Sequence, residues 1–421
     1  MSVFAGSDAA SAASWWILCR VVDNFGDAGV CWRLARQLAL EQHAKVTLFI
    51  DRPELVSRLS GGATPTAGLA VRAWTGAEQA DLLIPDVIVS AFGCELPAWL
   101  RAHLAGAPAR PLWINLEYLS AEPWVDGCHG LASVKPQDGA VEHFFFPGFT
   151  AHTGGLLRER DALATETPPP DDARARALKD LCDLLQEPGE WIISLFCYPE
   201  APLDAWLHAL TRGERNCLLL VPEGVADAAL ERFIGEPLRA PAALRPTSIA
   251  ALAPGAPPLR RGRLRIARIP FLPQRRYDEL LRLCDLNFVR GEDSWIRAHW
   301  ARRPFVWQPY VQDDGAHLVK LDAFLSRFGE VAGAAAATSA PASDPAWTAI
   351  DAMMRTWSGQ GDPAAGDPAA GDPAAGDPVA AWHRFEARLE TIAPCFRDWT
   401  DSLLAHPDLA STLFNWAQRK L

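Results

Sequence analysis

The chain has 421 residues, of which 49% are hydrophobic and 22% charged, and its formal net charge is −11. This length predicts two domains of ordinary globular composition. The acidic balance disfavours nucleic acid as a partner, because surfaces that bind nucleic acid are basic. No uncharged apolar run reaches the ~20 residues of a membrane span, and residues 1–13 lack the basic and apolar regions of a signal peptide. Nine scattered cysteines without a C-x-x-C pair are typical of a reducing compartment. We therefore expect a cytoplasmic protein with no membrane partner.

The first part of the chain alternates strand and helix patterns. Residues 1–13 are expected to be a mobile leader, and residues 14–167 to form a Rossmann-like domain. Alternating strands and helices predict a parallel sheet covered on both faces. The candidate strands are Trp16–Val22, Lys45–Ile50, Val87–Phe92, Leu112–Leu116 and His143–Phe146, and the candidate helices include Asp27–Glu41 and Pro53–Leu59.

A second alternation follows a stiff, proline-rich stretch. Residues 168–172 are predicted to be a linker and residues 173–358 a second Rossmann-like domain. The candidate helices are Asp172–Leu185, Tyr277–Cys284, a segment from Ser294 and Pro345–Trp357, and the candidate strands are Trp191–Cys197, Cys217–Val221, Arg263–Ile269, Leu286–Val289 and Pro304–Gln308.

The last part of the chain begins with a low-complexity repeat. Residues 359–379 carry a Gly-Asp-Pro-Ala-Ala pentad repeat whose fourth copy has Val379 in place of the first alanine. The repeat has no apolar face to bury and predicts a disordered insert. Helical patterns resume over residues 380–421. Two α/β domains with a closing helical tail predict the GT-B glycosyltransferase architecture, in which two Rossmann-like domains face a cleft and the C-terminal helices cross back to the first domain.

Two carboxylates lie in the turn that follows the first predicted strand. Asp23 and Asp27 are part of Asp23–Gly29, the segment between this strand and an amphipathic helix. One interpretation is turn chemistry, with Asp27 as the helix N-cap; the other is a functional site at the carboxyl end of a parallel strand. The residues alone leave both open. The turn lacks the G-x-G-x-x-G and Walker patterns, which disfavours a dinucleotide oxidoreductase and an NTPase.

A similar strand-to-helix turn occurs in the second domain. Backbone amides at Glu292 to Ser294 are expected to point out of a helix N-terminus, where a diphosphate binds well, and Arg290 can add a charged contact. The simpler alternative is a helix cap beside a surface ion pair. Phe271 and Gln274 follow another predicted strand and could hold a base, although the residues alone favour an ordinary core aromatic at Phe271.

Other patterns exclude several classes of site. The chain has no D-x-D motif, so the metal-bridged diphosphate site of GT-A transferases is not supported. Its ten histidines show no zinc spacing, and the absence of a G-x-S-x-G elbow disfavours a hydrolase. We expect no metal and no cofactor.

The sequence resembles the EarP family, protein-arginine rhamnosyltransferases that modify bacterial translation elongation factor P. The resemblance begins with VVDNFGDAGVCWRLARQL and covers both predicted domains, but not the leader or the repeat. Its other blocks are Trp113–Tyr118 (WINLEY), Phe145–Thr150 (FFPGFT), Ser194–Pro199 (SLFCYP), Pro270–Tyr277 (PFLPQRRY), Arg290–Trp300 (RGEDSWIRAHW) and Pro304–His317 (PFVWQPYVQDDGAH).

The resemblance implies a GT-B enzyme that transfers rhamnose from dTDP-β-L-rhamnose, with inversion, to an arginine of elongation factor P. It assigns catalytic roles to Asp23, Asp27 and Glu292. The implied substrate contacts are Asn24, Phe25, Tyr198, Phe271, Gln274, Arg290, Asp293, Ser294 and Tyr310.

A carboxylate pair suits the chemistry that the resemblance implies. A guanidinium with a pKa of ~12.5 or more cannot be deprotonated in advance by a carboxylate. Two carboxylates can hold it, aim one nitrogen and accept the proton as the bond forms. Asp27 is the expected base, kept ionised by the helix N-terminus, with Asp23 as its partner, in an order that stays open. The alternatives are a GT-B transferase for another sugar nucleotide or a small-molecule acceptor, and a non-catalytic nucleotide-sugar-binding protein.

Overall fold

The structure is a computed structural model that describes residues 13–62, 66–74, 82–136, 139–163, 170–236, 248–335, 344–360 and 376–421. The predicted leader over residues 1–12, linker residues 168–169 and repeat residues 361–375 lie outside the described residues. The predictions about these segments and the predicted domain bounds therefore stay predictions.

A mainly parallel sheet forms the centre of the first lobe, which we define as residues 13–163. Its described strands are β1 (Ser14–Cys19), β2 (Lys45–Ile50), β3 (Leu69–Ala73), β4 (Val87–Ala91), β5 (Leu112–Leu116), β6 (Ala132–Val134) and β7 (Val141–Phe145). Their order across the sheet is β3-β2-β1-β4-β5-β7-β6, and only the β6–β7 pair is antiparallel. Residues 15–19 of β1 are buried on both faces, which explains their unbroken apolar run.

A second mainly parallel sheet forms the centre of the second lobe, which we define as residues 170–360. Its described strands are β8 (Trp191–Leu195), β9 (Cys217–Pro222), β10 (Leu259–Arg261), β11 (Leu264–Ile269), β12 (Leu286–Arg290) and β13 (Phe305–Gln308). They lie in the order β10-β11-β9-β8-β12-β13, with β10 and β11 antiparallel. The carboxyl ends of β8 and β12 therefore lie side by side at one edge of the sheet.

Helices connect the strands of both lobes. In the first lobe they are α1 (Asn24–Glu41), α2 (Pro53–Ser60), α3 (Ala98–Ala105) and α4 (Val125–Cys128). In the second lobe they are α5 (Asp171–Cys182), α6 (Leu203–Arg212), α7 (Asp227–Gly235), α8 (Gln274–Leu283), α9 (Asp293–Ala301), α10 (Ala316–Ala335) and α11 (Pro345–Trp357). Sequence explains the start of α11, where Asp344 accepts a hydrogen bond from the amide of Ala346 at 2.7 Å.

The C-terminal helices return to the first lobe, as the sequence predicted. They are α12 (Pro378–Glu386), α13 (Leu389–Leu404) and α14 (Leu409–Gln418). The amide of Leu409 donates to the carbonyl of Leu156 at 2.9 Å, and the ring of Phe414 stacks on Trp15 of β1 with centroids 6.0 Å apart. Two α/β lobes joined by returning helices confirm the predicted GT-B architecture.

The sequence located the buried strands better than the exposed ones. The predicted bounds of β2, β5 and α11 agree with the structure, whereas β3, β6, β10, α3, α6, α7 and α10 were not predicted. The strand β3 has mostly exposed residues at the edge of the sheet, so it carries no apolar pattern to detect. The first strand was wrongly extended to Val22, which is 70% exposed in the bend before α1.

Candidate active site

The first predicted turn is shorter than the sequence indicated, because α1 begins at Asn24. The prediction that Asp27 is the N-cap is therefore wrong: Asp27 lies in the first turn of the helix and is 3% exposed. Its Oδ2 accepts hydrogen bonds from the amides of Val22 at 2.7 Å and Asp23 at 3.0 Å, which hold the carboxylate back over the start of the helix. The hydroxyl of Tyr118 donates to Oδ1 at 3.4 Å.

Burial raises the pKa of Asp27, whereas a helix N-terminus lowers the pKa of a nearby carboxyl. Removal from water raises the pKa of Asp27, while the hydrogen bonds from Val22 and Asp23 lower it by a smaller amount. The carboxylate is thus more basic than an exposed aspartate. The expectation that a helix N-terminus keeps Asp27 ionised did not take this burial into account.

Asp23 reaches across the cleft to the second lobe. The hydroxyl of Tyr198 donates to its Oδ2 at 2.9 Å. Two glycines make room for this carboxylate, since a Cβ at Gly26 would lie 2.8 Å from Oδ2 and one at Gly291 would lie 3.1 Å from it. Gly291 also has φ +59°, in the left-handed region that favours glycine. These glycines and Tyr118 were not identified as site residues from the sequence.

The second predicted turn lies directly opposite, at the start of α9. Glu292 is the residue before the helix, and its Oε2 accepts a hydrogen bond from the amide of Leu119 in the first lobe at 3.0 Å. Its Oε1 is buried and has no hydrogen-bond partner among the described residues. Burial raises the pKa of Glu292 to about 8.

Arg290 and Ser294 have fixed positions at the same turn. Arg290 donates from Nη1 to the carbonyl of Cys197 at 2.9 Å, and its guanidinium lies 4.3 Å from the ring centre of Phe196 and 4.5 Å from that of Tyr198. The Ser294 hydroxyl bonds the backbone of Arg290 on both sides, donating to its carbonyl at 2.6 Å and accepting from its amide at 3.1 Å. The hydroxyl is therefore used to shape the turn.

Two chambers meet between the lobes. The first, of about 300 Å³, is lined by the predicted substrate-binding residues Phe25, Tyr198, Phe271, Gln274, Arg290, Asp293 and Ser294. The second, of about 200 Å³, is lined by Asp27, Phe92, Tyr118, Tyr310 and Lys320 among others. Asp23, Gly26 and Glu292 line both chambers. The three predicted catalytic carboxylates therefore lie together at or beside the junction.

Some predicted substrate residues have unexpected neighbours. The Gln274 amide nitrogen donates to the Gly29 carbonyl at 3.1 Å and to Asp293 at 3.0 Å, so this group joins the lobes. Tyr310 lines the second chamber and is 48% exposed, and its ring packs edge-on against that of Tyr198 with centroids 5.6 Å apart. The side chain of Asn24 lies outside the described part of the structure.

A buried ion network fixes α1 against α8 and α9. Arg33, in α1, is 3% exposed and donates from Nε to Asp293 at 2.7 Å and from Nη2 to Asp278 at 2.9 Å. It also pairs with Glu159 at 3.3 Å, and Arg297 bonds the same carboxylate at 2.5 Å. Burial raises the pKa of Glu159, but the two guanidinium groups outweigh this effect and hold the pKa well below its usual range. The network places the N-termini of α1 and α9 face to face.

Two Rossmann-like lobes, a cleft with two chambers and a returning C-terminal helix define a GT-B glycosyltransferase. A solved plant protein, UGT89C1 of Arabidopsis thaliana complexed with UDP, shares this fold with a TM-score of 0.52 at 10% identity, over 97% of this chain and 99% of that one. The family described as "Elongation-Factor P (EF-P) rhamnosyltransferase EarP" matches residues 15–418, and this chain belongs to it.

Curated relatives of known name are similar in sequence to this chain over most of its length. The protein-arginine rhamnosyltransferase of Pseudomonas putida KT2440 is 38% identical over 97% of this chain and 100% of its own length. That of Pseudomonas aeruginosa PAO1 is 42% identical over 82% of this chain and 90% of its own length. A solved EarP structure, described for arginine glycosylation of translation elongation factor EF-P, is 30% identical with a TM-score of 0.62, over 97% of this chain and 100% of that one.

The described residues contain neither a metal-type cluster nor a helix suited to a membrane. No cluster of three or more histidine, cysteine, aspartate or glutamate side chains has the arrangement of a metal site there. Within the same residues, no helix combines the length and apolar character needed to cross a membrane.

The ion network predicts a large stability effect at Arg33. Arg33→Met leaves Asp278, Asp293 and Glu159 with one guanidinium in a buried site, which we expect to lower the free energy of unfolding by about 3–5 kcal/mol. Urea denaturation measures this loss. The matched control is Arg36→Met on the same helix, for which a change within about 0.5 kcal/mol is expected. Equal losses in the two variants would contradict a network that fixes the lobes.

Glu292 predicts a pH-dependent stability. Its folded pKa of about 8 lies above the ordinary value of 4.5, so the folded state binds the extra proton between these values. Its contribution to stability therefore falls as the pH rises through this window and is constant above it. The unfolding free energy of the wild type minus that of Glu292→Gln should decline between pH 4.5 and 8. A difference that does not change with pH would show that the carboxyl titrates normally.

Proposed function

We propose that this protein transfers L-rhamnose from dTDP-β-L-rhamnose to an arginine side chain of translation elongation factor P, with inversion at the anomeric carbon. Membership of the EarP family and the names of the curated relatives support the reaction. The observation that carries the proposal is the junction of the two chambers, where Asp23 and Glu292 line both cavities and Asp27 lines the second.

The second chamber suits a guanidinium. Asp27 and Asp23 lie four residues apart at the start of α1 and present carboxylates to it. A guanidinium keeps its proton in water because its pKa is ~12.5 or more, so the proton has to leave while the glycosidic bond forms. Asp27 is the proposed base, because its buried carboxylate is more basic than usual and lines the second chamber. Asp23 is the proposed orienting partner, because it lies between acceptor and donor.

The first chamber suits a nucleotide sugar. Amides at the N-terminus of α9 and the guanidinium of Arg290 would stabilise the negative charge that develops on the leaving diphosphate. In this proposal these groups suffice, and the reaction uses neither metal nor cofactor. Glu292, beside the diphosphate position, would orient the sugar or stabilise the positive charge of an oxocarbenium-like transition state.

The arrival of a cation at the junction favours ionised carboxylates. Burial raises the pKa of Glu292 to about 8 without substrate. A bound guanidinium lowers the pKa of a neighbouring carboxyl, because an opposite charge stabilises its ionised form. Glu292 would then be ionised to a greater extent when the acceptor is in place.

The proposed partner also gives the location and the type of modification. Elongation factor P acts in translation, so we propose that this enzyme works in the cytoplasm as a post-translational modification enzyme. Its acidic net charge of −11 suits the binding of a basic acceptor side chain.

The proposal is tested by following sugar transfer directly. Purified elongation factor P is incubated with enzyme and dTDP-β-L-rhamnose, and intact mass spectrometry should show the addition of one deoxyhexose, located on the arginine by fragmentation. An acceptor with lysine in place of that arginine should stay unmodified, because lysine cannot make the bidentate contact. UDP and GDP sugars serve as competing donors. Transfer to lysine, or equal use of UDP and GDP sugars, would contradict the proposed substrates.

Asp27→Asn should separate catalysis from donor binding. Loss of the base is expected to lower kcat by about 100-fold or more, whereas the affinity for dTDP should not change, because Asp27 does not line the first chamber. Glu54→Gln, on the exposed surface of α2, is the control and should keep wild-type kcat. Normal turnover in Asp27→Asn would exclude Asp27 as the base and favour the reverse order of the two aspartates.

A further inference from the structure

An exposed arginine of the first lobe overlies the donor chamber. Arg58, near the end of α2, has its guanidinium carbon 4.6 Å from the ring centre of Phe271 and 5.1 Å from that of Phe25. It also lines the first chamber. In the part of the chain that the structure describes, no carboxylate pairs with it. The cation is therefore available to a ligand in the chamber.

The position of Arg58 is set by the packing of α2 on the second lobe. Gly61 ends α2 with φ +67°, and a Cβ at this position would lie 2.7 Å from the Cγ of Pro273. The rings of Phe25 and Phe271 also meet across the cleft, with centroids 4.9 Å apart. These contacts bring Arg58 to the loop that carries Phe271, although the two residues belong to different lobes.

The positions of Arg290 and Arg58 in the first chamber indicate that the two side chains contact different parts of a ligand. Arg290 and Arg58 are the cationic side chains in the described lining of the chamber. Arg290 lies beside the start of α9, where the diphosphate is expected, and donates to the carbonyl of Cys197. Arg58 lies instead over Phe271, an aromatic ring placed to stack on the base. Its neighbours thus identify the nucleoside end of the chamber.

We infer that Arg58 is a donor-binding residue contributed by the first lobe, whose guanidinium stacks on the face of the nucleobase that Phe271 leaves open. A base cannot enter between the two groups at their present separation, so the exposed arginine side chain moves outward to admit it. Planar guanidinium groups stack well on aromatic rings. The bound base then links α2 to the Phe271 loop and couples nucleotide affinity to the contact between the lobes.

Stacking by Arg58 should not distinguish one nucleobase from another. Every base has an aromatic face, so stacking adds affinity without selecting a particular base. Arg58 should therefore strengthen the binding of dTDP and UDP by similar factors. Selection of thymine over uracil has to come from contacts at the edge of the base.

The inference is tested by calorimetric titration of dTDP into the full-length enzyme. Arg58→Met is expected to weaken dTDP binding by about 3- to 30-fold, the range of a cation–π contact, and Arg58→Lys by less, because an ammonium lacks the planar stacking surface. Arg52→Met, at the other end of the same helix, is the matched control and should bind like the wild type. Under turnover, Arg58→Met should raise the KM for the donor and leave kcat unchanged at saturating donor.

Pyrophosphate distinguishes a base contact from a phosphate contact. Its affinity, measured by displacement of dTDP, should be the same in the wild type and Arg58→Met if Arg58 binds the base. A parallel loss of pyrophosphate and dTDP binding would place Arg58 at the diphosphate and overturn the inference, as would unchanged dTDP binding.

This inference rests on the proposed donor, but its test does not depend on sugar transfer. If the wild type and Arg58→Met bind dTDP equally well, the role of Arg58 is refuted and the proposed donor is not. Wild-type enzyme that fails to bind dTDP would refute the proposed donor, and the role of Arg58 with it.

Discussion

The ion network centred on Arg33 determines how the two halves of the site face each other. A guanidinium removed from water needs carboxylate partners, and Arg33 of the first lobe finds Asp278 and Asp293 in the second. The amide of Gln274 adds a bond to the Gly29 carbonyl of α1. Because Asp23 and Asp27 lie at the start of α1 and Glu292 precedes α9, this contact sets the separation of the proposed acceptor and donor groups. A rotation of either lobe would break buried, charged hydrogen bonds.

The carboxylates near the cleft differ in whether they pair with an arginine of this network. Asp293 lines the donor chamber, but its charge is balanced by Arg33, so it adds little repulsion toward a diphosphate. Among the described residues, neither Asp27 nor Glu292 forms an ion pair with an arginine, and burial raises the pKa of both, as it does that of Asp293. Carboxylates with a neighbouring arginine thus hold the structure, while those without one are left to respond to a substrate. Residue type alone does not distinguish these roles, since the difference lies in the partner.

The sequence predicted the architecture because it depends on local patterns, whereas the roles of the site residues were implied by the family resemblance and stay predictions. Buried strands appear as apolar runs, and strand-to-helix turns with polar residues marked Asp23 and Glu292. Contacts between segments distant in sequence carry no such pattern. Arg33 looks like an ordinary polar residue of an amphipathic helix, and its partners lie 126 to 260 residues away. The buried surroundings of Asp27 were missed for the same reason, because the hydroxyl that bonds its Oδ1 belongs to Tyr118, 91 residues further along the chain.

Burial of unpaired carboxylates suggests how one acceptor is preferred over others. Without substrate, the covered Oε1 of Glu292 has no hydrogen-bond partner among the described residues, and ionisation there is costly because water is excluded. A neutral side chain cannot offset this cost. A guanidinium can, since it is always charged and its planar fork offers several donors at once, whereas an ammonium offers a point charge that is more strongly hydrated. The cost of burying these carboxylates thereby becomes selectivity for arginine, because the Arg33 network holds the two lobes close together.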